Sequence, residues 1–247
     1  MTRIALDGVA KEYSQRDGSH LRVLDNLDFQ TAANDFICVI GPSGCGKSTM
    51  MDIIAGIEEP TTGSVTVGEP GVQTNIGFVF QDPRLLDWRT VRENLQYALK
   101  GKGVPESEWD DRIETYLELV GLSEFPEEYP RALSGGMKQR VAIARAMAID
   151  PDIILMDEPF SNLDEITARQ LRSDLVEIWQ EEPKTILFVT HNALESAYLG
   201  NRVLVLSHRP TTIITEREIE LDRPRDLSAP KLVAISEELV DRLEAEM

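Results

Sequence analysis

The sequence has little cysteine, no long apolar run and few basic residues. Its two cysteines, Cys38 and Cys45, are too few for a disulfide framework or a zinc site. The uncharged apolar runs, such as Phe36 to Ile40, are far shorter than the roughly 20 residues that a membrane-spanning helix requires. The N-terminal segment MTRIALDGVAKEY has neither the basic stretch nor the apolar region of a signal peptide, which predicts a cytoplasmic protein.

The shortage of basic residues also restricts the partners of this protein. The chain carries 25 basic and 43 acidic residues, so its formal net charge is −18. Such a charge repels nucleic-acid phosphates and anionic lipid surfaces, and we therefore expect no nucleic-acid partner. Two interpretations of the acidic surface stay open: general solubility, or adaptation to high salt, because lysine is scarce relative to arginine. With 247 residues, 42% of them hydrophobic, the chain can build a sizeable core.

The hydrophobic pattern predicts an α/β protein. Alternating polarity over 3–13 and 20–30 indicates antiparallel strands, and the apolar run at 36–40 is typical of a buried parallel strand. The middle third predicts helices at 90–100, 107–120 and 136–148. Strands and helices then alternate from 153 to 217, which predicts a parallel sheet, and a terminal helix is expected at 229–244.

We therefore expect one domain over 1–247. Residues 1–81 and 151–247 would form the α/β core together with an N-terminal antiparallel β-subdomain. Residues 82–150 would form an inserted, mainly helical subdomain.

The segment GPSGCGKST, residues 41–49, fits the phosphate-loop pattern G-x-x-x-x-G-K-[ST] between a predicted strand and a predicted helix. Its glycines let successive backbone N–H groups face a phosphate, and Lys47 reaches the β and γ phosphates. The Ser48 hydroxyl suits Mg²⁺, a hard ion that prefers oxygen ligands. The predicted nucleotide contacts of this loop are Gly41, Pro42, Ser43, Gly44, Cys45, Gly46, Lys47, Ser48 and Thr49.

A second motif supplies two carboxylates. In IILMDEP, residues 153–159, four apolar residues predict a buried strand that ends at Asp157, where this side chain can hold Mg²⁺ through water. Glu158 follows and is placed to act as the general base on the attacking water. These two motifs alone indicate an ATPase or a GTPase.

Three further motifs narrow the prediction to one family. The segment LSGGMKQR (133–140), the segment SNLD (161–164) and His191 in VTHN follow the phosphate loop in the expected order. Together these motifs resemble the ATP-binding subunit of ABC transporters over almost the whole chain. The resemblance implies a P-loop ABC ATPase fold and a head-to-tail homodimer. In that dimer ATP lies between the phosphate loop of one subunit and Ser134, Gly135 and Gly136 of the other.

The resemblance also implies roles for single residues. Tyr13 would stack on adenine, and Gln81 would touch Mg²⁺ and the attacking water. Asp164 would connect the two sites of the dimer, and His191 would contact the γ phosphate. The implied catalytic residues are Lys47, Gln81, Glu158 and His191, and the implied metal ligands are Ser48, Gln81 and Asp157. The sequence departs from the family at Asn34 and Asp35, before the phosphate-loop strand, and at Asn192, where an aspartate is common.

Two segments, 81–95 and 190–210, resemble importer subunits of the nitrate, sulfonate and taurine type. This resemblance implies integral membrane permease subunits as partners, an indirect link to a substrate-binding protein, and a peripheral position on the inner face of the membrane. Residues 84–88 mix apolar and charged side chains, which predicts the docking surface for the permease. An ATPase subunit of another ABC system, lipid-handling or exporting, stays an alternative.

Overall fold

The computed structural model describes residues 4–69, 71–72 and 74–245, and Arg3 of the first predicted strand lies outside them. The strands are β1 (Ile4–Ser14), β2 (His20–Gln30), β3 (Phe36–Ile40), β4 (Thr62–Val67), β5 (Ile76–Val79), β6 (Ile153–Asp157), β7 (Thr185–Val189), β8 (Arg202–Leu206) and β9 (Ile213–Glu218). The helices are α1 (Lys47–Ile54), α2 (Val91–Gly101), α3 (Trp109–Leu119), α4 (Gly135–Met147), α5 (Glu165–Glu181), α6 (Ala193–Leu199) and α7 (Pro230–Glu244).

These elements form two compact units. The first unit combines Met1–Thr74 with Lys184–Met247, and the second is Asn75–Pro183. The subdomain boundaries expected from the sequence, at 82 and 150, stay a prediction.

The small sheet of the first unit has the strand order β2-β1-β4, with antiparallel pairing throughout. Tyr13 lies opposite Leu21, and Ile4 lies opposite Val67. Apolar side chains such as Leu6 and Phe29 are buried on one face, as the alternation of polarity requires. The predicted antiparallel pairing of the first two strands is therefore confirmed.

In the same unit, β3 is a central strand with β7 and β8 on either side, both parallel to it. Every residue of β3 is buried, which explains its uninterrupted apolar sequence. The last strand corrects the sequence prediction, because β9 pairs with β8 in the antiparallel direction. The physical reason is the short connection at 207–212, since a parallel crossover needs a dozen or more residues.

The second unit contains the parallel pair β5 and β6 and the helices α2 to α5. Helix α2 begins with a capping box, in which the Thr90 side chain accepts from the Glu93 backbone N–H and the Glu93 carboxylate accepts from the Thr90 backbone N–H. Helix α4 packs against α2 and α3. Among the described residues, every helix is too short or too polar to span a bilayer.

Candidate functional site

The phosphate loop connects the buried strand β3 to helix α1. Gly44 and Gly46 have φ angles of 71° and 124°, which L side chains rarely adopt. A Cβ atom on Gly46 would lie 2.7 Å from Cγ1 of Val23, so the site has no room for a side chain. At Gly44 and Gly46 the loop therefore presents only its backbone to a ligand.

The N-terminus of α1 suits an anion. Its N-cap is Gly46, no side chain caps it, and its first turn contains no acidic residue. The first N–H groups of a helix have no partner within the helix, and the helix dipole makes this end positive. The residues present therefore fit the phosphate groups of a nucleotide.

Lys47 adds a positive charge to this loop. Its side chain is only 5% exposed, and its Nζ donates to the carbonyl oxygens of Gly41 (2.9 Å) and Pro42 (3.0 Å). These hydrogen bonds offset the cost of burying an ammonium group and hold it against the loop. Cys45 is also buried, and burial raises the pKa of its thiol, so this residue is a small packed side chain and stays protonated at neutral pH.

The sheet register brings His191 to the same edge as the phosphate loop. Val39 of β3 pairs with Val189 of β7 in parallel, and Gly41 and His191 each follow two residues later. The Thr190 N–H donates to the Val39 carbonyl at 3.0 Å, which extends the pairing to the point where the two loops begin. The His191 side chain is exposed at this edge, where ligands of parallel sheets bind.

Helix α6, which follows His191, is held at its N-terminal end by hydrogen bonds among Thr190, Asn192 and Glu195. The Thr190 hydroxyl donates to Glu195 Oε2 at 2.5 Å and accepts the Asn192 N–H at 3.1 Å. The Asn192 side chain accepts the Glu195 N–H at 3.0 Å and is the N-cap. Asparagine and aspartate cap helices about equally well, so this departure from the family pattern keeps the cap.

At the C-terminal end of α6, the Arg225 guanidinium donates to the carbonyls of Ala197, Tyr198 and Gly200. These are carbonyls that a helix leaves without an internal partner. The main chain beside His191 is therefore fixed from both ends of a two-turn helix. Arg225 was not predicted from the sequence, where its only signal is that it and Arg223 flank Pro224.

Tyr13 is partly exposed on β1, and the Lys11 Nζ lies 5.0 Å from the centre of its ring. Its stacking on adenine stays a prediction.

The second unit brings Gln81 and Glu158 together. Asp157 ends β6 after four buried residues, as predicted, and Glu158 follows with a φ of 43°. This left-handed conformation is uncommon for a residue with a side chain and often marks functional sites. Gln81 Nε2 donates to Ser161 Oγ at 3.1 Å, and Ser161 Oγ donates to the Glu158 carbonyl at 2.9 Å. The linking role of Ser161 was not identified from the sequence.

The segment 134–136 opens helix α4. Ser134 is its N-cap, and the Ser134 hydroxyl accepts the Met137 N–H at 3.3 Å. A Cβ atom on Gly136 would lie 2.5 Å from Cγ2 of Thr167, so the glycine allows close packing at α5. Asp164 caps α5 by accepting the Thr167 N–H at 3.0 Å, and this bond lowers the pKa of its carboxyl. The carboxylate is therefore ionised at neutral pH.

The predicted site residues thus divide between the two units. The phosphate loop, Tyr13 and His191 belong to the first unit, and Gln81, 134–136, Asp157, Glu158 and Asp164 belong to the second. The approach of one group to the other stays a prediction. In the described part of the chain, no three His, Cys, Asp or Glu side chains cluster as a metal site would require. The predicted ligands are oxygen donors of the kind that Mg²⁺ prefers, with waters completing its shell.

Comparisons with known proteins agree with this geometry. The family model described as ABC transporter matches residues 24–161. The chain is 39% identical to an aliphatic sulfonates import ATP-binding protein of Bacillus cereus over 246 residues, which cover 98% of this chain and 96% of that protein. It is 44% identical over 211 residues to a nitrate import ATP-binding protein of Synechocystis, covering 84% of this chain and 79% of that protein.

Solved structures give the same result. A dimeric, post-hydrolysis ATP-binding cassette bound to ADP and Pi matches with a TM-score of 0.77 and 31% sequence identity. The match covers 89% of this chain and all of that one.

The fold and the phosphate loop define a P-loop ATP-binding cassette. The chain belongs to the ABC transporter family, and it is an ATP-binding subunit that hydrolyses ATP to drive transport. The predicted resemblance to importer-type subunits is confirmed.

Proposed function

We propose that this subunit powers the import of a small solute of the nitrate, sulfonate or taurine kind. It would act as a head-to-tail homodimer on the cytoplasmic face of the membrane, bound to permease subunits that receive solute from a substrate-binding protein. The main support for the use of ATP is the N-terminus of α1, which has no side-chain cap and begins at the buried Lys47. The solute class is supported by the two importer relatives.

In this proposal catalysis is mainly electrostatic. Lys47 and the backbone N–H groups of the loop bind the phosphates and offset the charge that develops on the transferred phosphoryl group. Ser134 of the opposing subunit binds the same phosphates from the other side of the dimer interface. Glu158 accepts a proton from the attacking water, while Gln81 and His191 orient that water. Mg²⁺, held by Ser48, Gln81 and Asp157, would neutralise phosphate charge when bound.

The test of this mechanism is Glu158→Gln, because the amide has the same shape but cannot accept the proton. A general base contributes roughly 10²- to 10⁴-fold, so we expect phosphate release to fall by at least about 100-fold while ATP binding is kept. ATP that is bound but not hydrolysed should then hold the dimer closed. Phosphate release and size-exclusion chromatography with Mg-ATP measure both effects.

Two outcomes would contradict the role of Glu158. One is hydrolysis at the wild-type rate, and the other is a variant that stays monomeric with saturating ATP while the wild-type protein dimerises. His191 would then be the first candidate for the base.

For the contact with the permease we propose the segment 84–88. Trp88 is 74% exposed, although a tryptophan usually buries most of its surface. The segment before it is held rigidly, because Arg145 donates to the carbonyls of Pro83 and Arg84. Exposed aromatic side chains, tryptophan above all, are typical anchors of protein interfaces.

We expect the double variant Leu86→Glu, Trp88→Ala to reduce co-purification with the permease at least about tenfold, as loss of an interface anchor does. ATP binding by the isolated subunit should be unchanged, because neither residue belongs to the nucleotide site. Exposed Tyr97→Ala, outside the segment, is the matched control. Unchanged complex assembly in the double variant would refute the assignment.

A further inference from the structure

The turn between β8 and β9 places a positive side chain beside the phosphate loop. Arg209 lies in this turn, and its Nη2 atom is 3.1 Å from the position that a Cβ atom on Gly44 would occupy. The guanidinium therefore lies at contact distance from the backbone of the loop.

Hydrogen bonds fasten this turn to the loop and to the neighbouring strand. Thr211, two residues after Arg209, is fully buried, and its hydroxyl donates to the Cys45 carbonyl inside the phosphate loop. Its N–H donates to the Val23 carbonyl at 2.9 Å, and its carbonyl accepts the Asp25 N–H at 2.8 Å. The fold itself therefore fixes the backbone from which Arg209 projects.

The charge of Arg209 is available to a ligand. The side chain is exposed, and among the described residues it forms no ion pair with a carboxylate. Asp25, which lies on the strand bonded to this turn, is paired with Arg22 at 2.8 Å. Burial raises the pKa of the Cys45 thiol, and the positive charges of Lys47 and Arg209 oppose that rise, so both charges act on the loop.

We propose that Arg209 is a further nucleotide-binding residue, which adds a second positive charge beside Lys47 for the phosphate chain of ATP. The proposal rests on the proposed role of residues 41–49 in phosphate binding. In a protein with a net charge of −18, an unpaired cation at the loop offsets the repulsion that an anionic nucleotide meets. Its effect should grow with the charge of the ligand and shrink as salt screens it.

The experiment is calorimetric titration of the full chain with ATP, ADP and adenosine, at low salt and at about 0.5 M KCl, where the Debye length falls to roughly 4 Å. We expect Arg209→Gln to weaken ATP binding about tenfold at low salt, ADP binding less and adenosine binding not at all. Arg209→Lys should stay within about twofold of the wild type, because it keeps the charge. High salt should reduce the loss.

The matched control is Arg217→Gln. Arg217 is an arginine on β9 whose Nε pairs with Glu238 of α7 at 3.3 Å, away from the loop. Equal ATP affinity of the Arg209 and Arg217 variants would overturn the proposal, and so would an equal loss for adenosine, which would indicate a general structural effect. The thermal midpoints of both variants should match that of the wild type, since both side chains are on the surface.

Lys47→Ala separates this inference from the function on which it rests. If Lys47→Ala weakens ATP binding and Arg209→Gln does not, only the role of Arg209 is wrong. If Lys47→Ala leaves ATP affinity unchanged, the phosphate-binding role of 41–49 fails, and the inference fails with it.

Discussion

Helices α1 and α4 both begin after glycine-rich segments, but their first turns are satisfied differently. Helix α4 has its own cap, because the Ser134 hydroxyl accepts the Met137 N–H. Helix α1 follows Gly46 and has no side-chain cap. Its N-terminal N–H groups therefore need an acceptor from outside the helix, and a phosphate is suitable. The difference predicts that α1 needs an anion from outside the chain, whereas one N–H group at the start of α4 is already bonded by the Ser134 hydroxyl.

The glycines of the two segments also serve different purposes. Gly46 is required by its backbone, since its φ of 124° is rare for any L side chain. Gly136 lies in a helix, and a Cβ atom there would meet only the Thr167 methyl group, at 2.5 Å. The phosphate loop thus depends on backbone conformation, and the start of α4 depends on packing against one neighbouring side chain.

The largest expected effect is on ATP affinity, which should depend on Lys47 at the start of α1 but not on Ser134 at the start of α4. Lys47→Ala removes the buried ammonium from the loop, and we expect the affinity of the monomer for ATP to fall about 100-fold or more, with loss of dimerisation and hydrolysis. Ser134→Arg adds bulk and charge at the start of α4, and should block the closed dimer while sparing ATP binding by the monomer. Calorimetry and size-exclusion chromatography with Mg-ATP measure these effects.

The reverse pattern would refute this comparison. If Ser134→Arg weakened ATP binding by the monomer as much as Lys47→Ala does, α4 would belong to the same primary phosphate site as α1.

An intermediate effect tests the two kinds of glycine. Gly136→Ala should destabilise the protein by about 1–3 kcal/mol through overpacking, and Thr167→Ser should relieve most of this, because serine lacks the Cγ2 methyl. Val23→Ala should not restore the stability lost in Gly46→Ala, because the strain in φ remains after the contact with Cγ1 of Val23 is removed. Urea unfolding of Gly136→Ala, Gly46→Ala and the two double variants that add Thr167→Ser or Val23→Ala gives the free energies of unfolding. A rescue of Gly46→Ala by Val23→Ala would show that packing, rather than backbone conformation, selects that glycine.

The sequence predicted most of the architecture, because the hydrophobic pattern of each segment matched the burial of the strand or helix that it forms. The apolar runs of β3 and β6 and the antiparallel pair β1 and β2 all appear where they were expected. The direction of β9 was predicted wrongly, because the parallel pattern of the preceding strands was extended across a connection, 207–212, that is too short for a parallel crossover.

The sequence predicted where Lys47, Asp157 and Glu158 lie relative to α1 and β6, because linear motifs place them there, and their chemical roles stay predictions. Contacts that depend on folding were not predicted. Arg209 is 165 residues away from Gly44 in the sequence. It reaches the loop because the turn between β8 and β9 is hydrogen-bonded to the loop through Thr211. The left-handed backbone of Glu158 was also invisible, because glutamate has no preference for that conformation.

The smallest expected effect compares two serines at the starts of these helices. Ser134→Ala removes the N-cap of α4 and should lower the free energy of unfolding by about 0.5–1 kcal/mol, at the lower end because the hydrogen bond is 3.3 Å long. Ser48→Ala, in the first turn of α1, removes no cap and should change that free energy by less than about 0.5 kcal/mol. Ser134→Asp, which can still accept the Met137 N–H, is the control and should keep the stability. If Ser134→Ala and Ser48→Ala lowered the free energy of unfolding equally without nucleotide, α1 would also depend on a serine cap. Its N-terminal N–H groups would then already have an acceptor within the chain and would not need a phosphate.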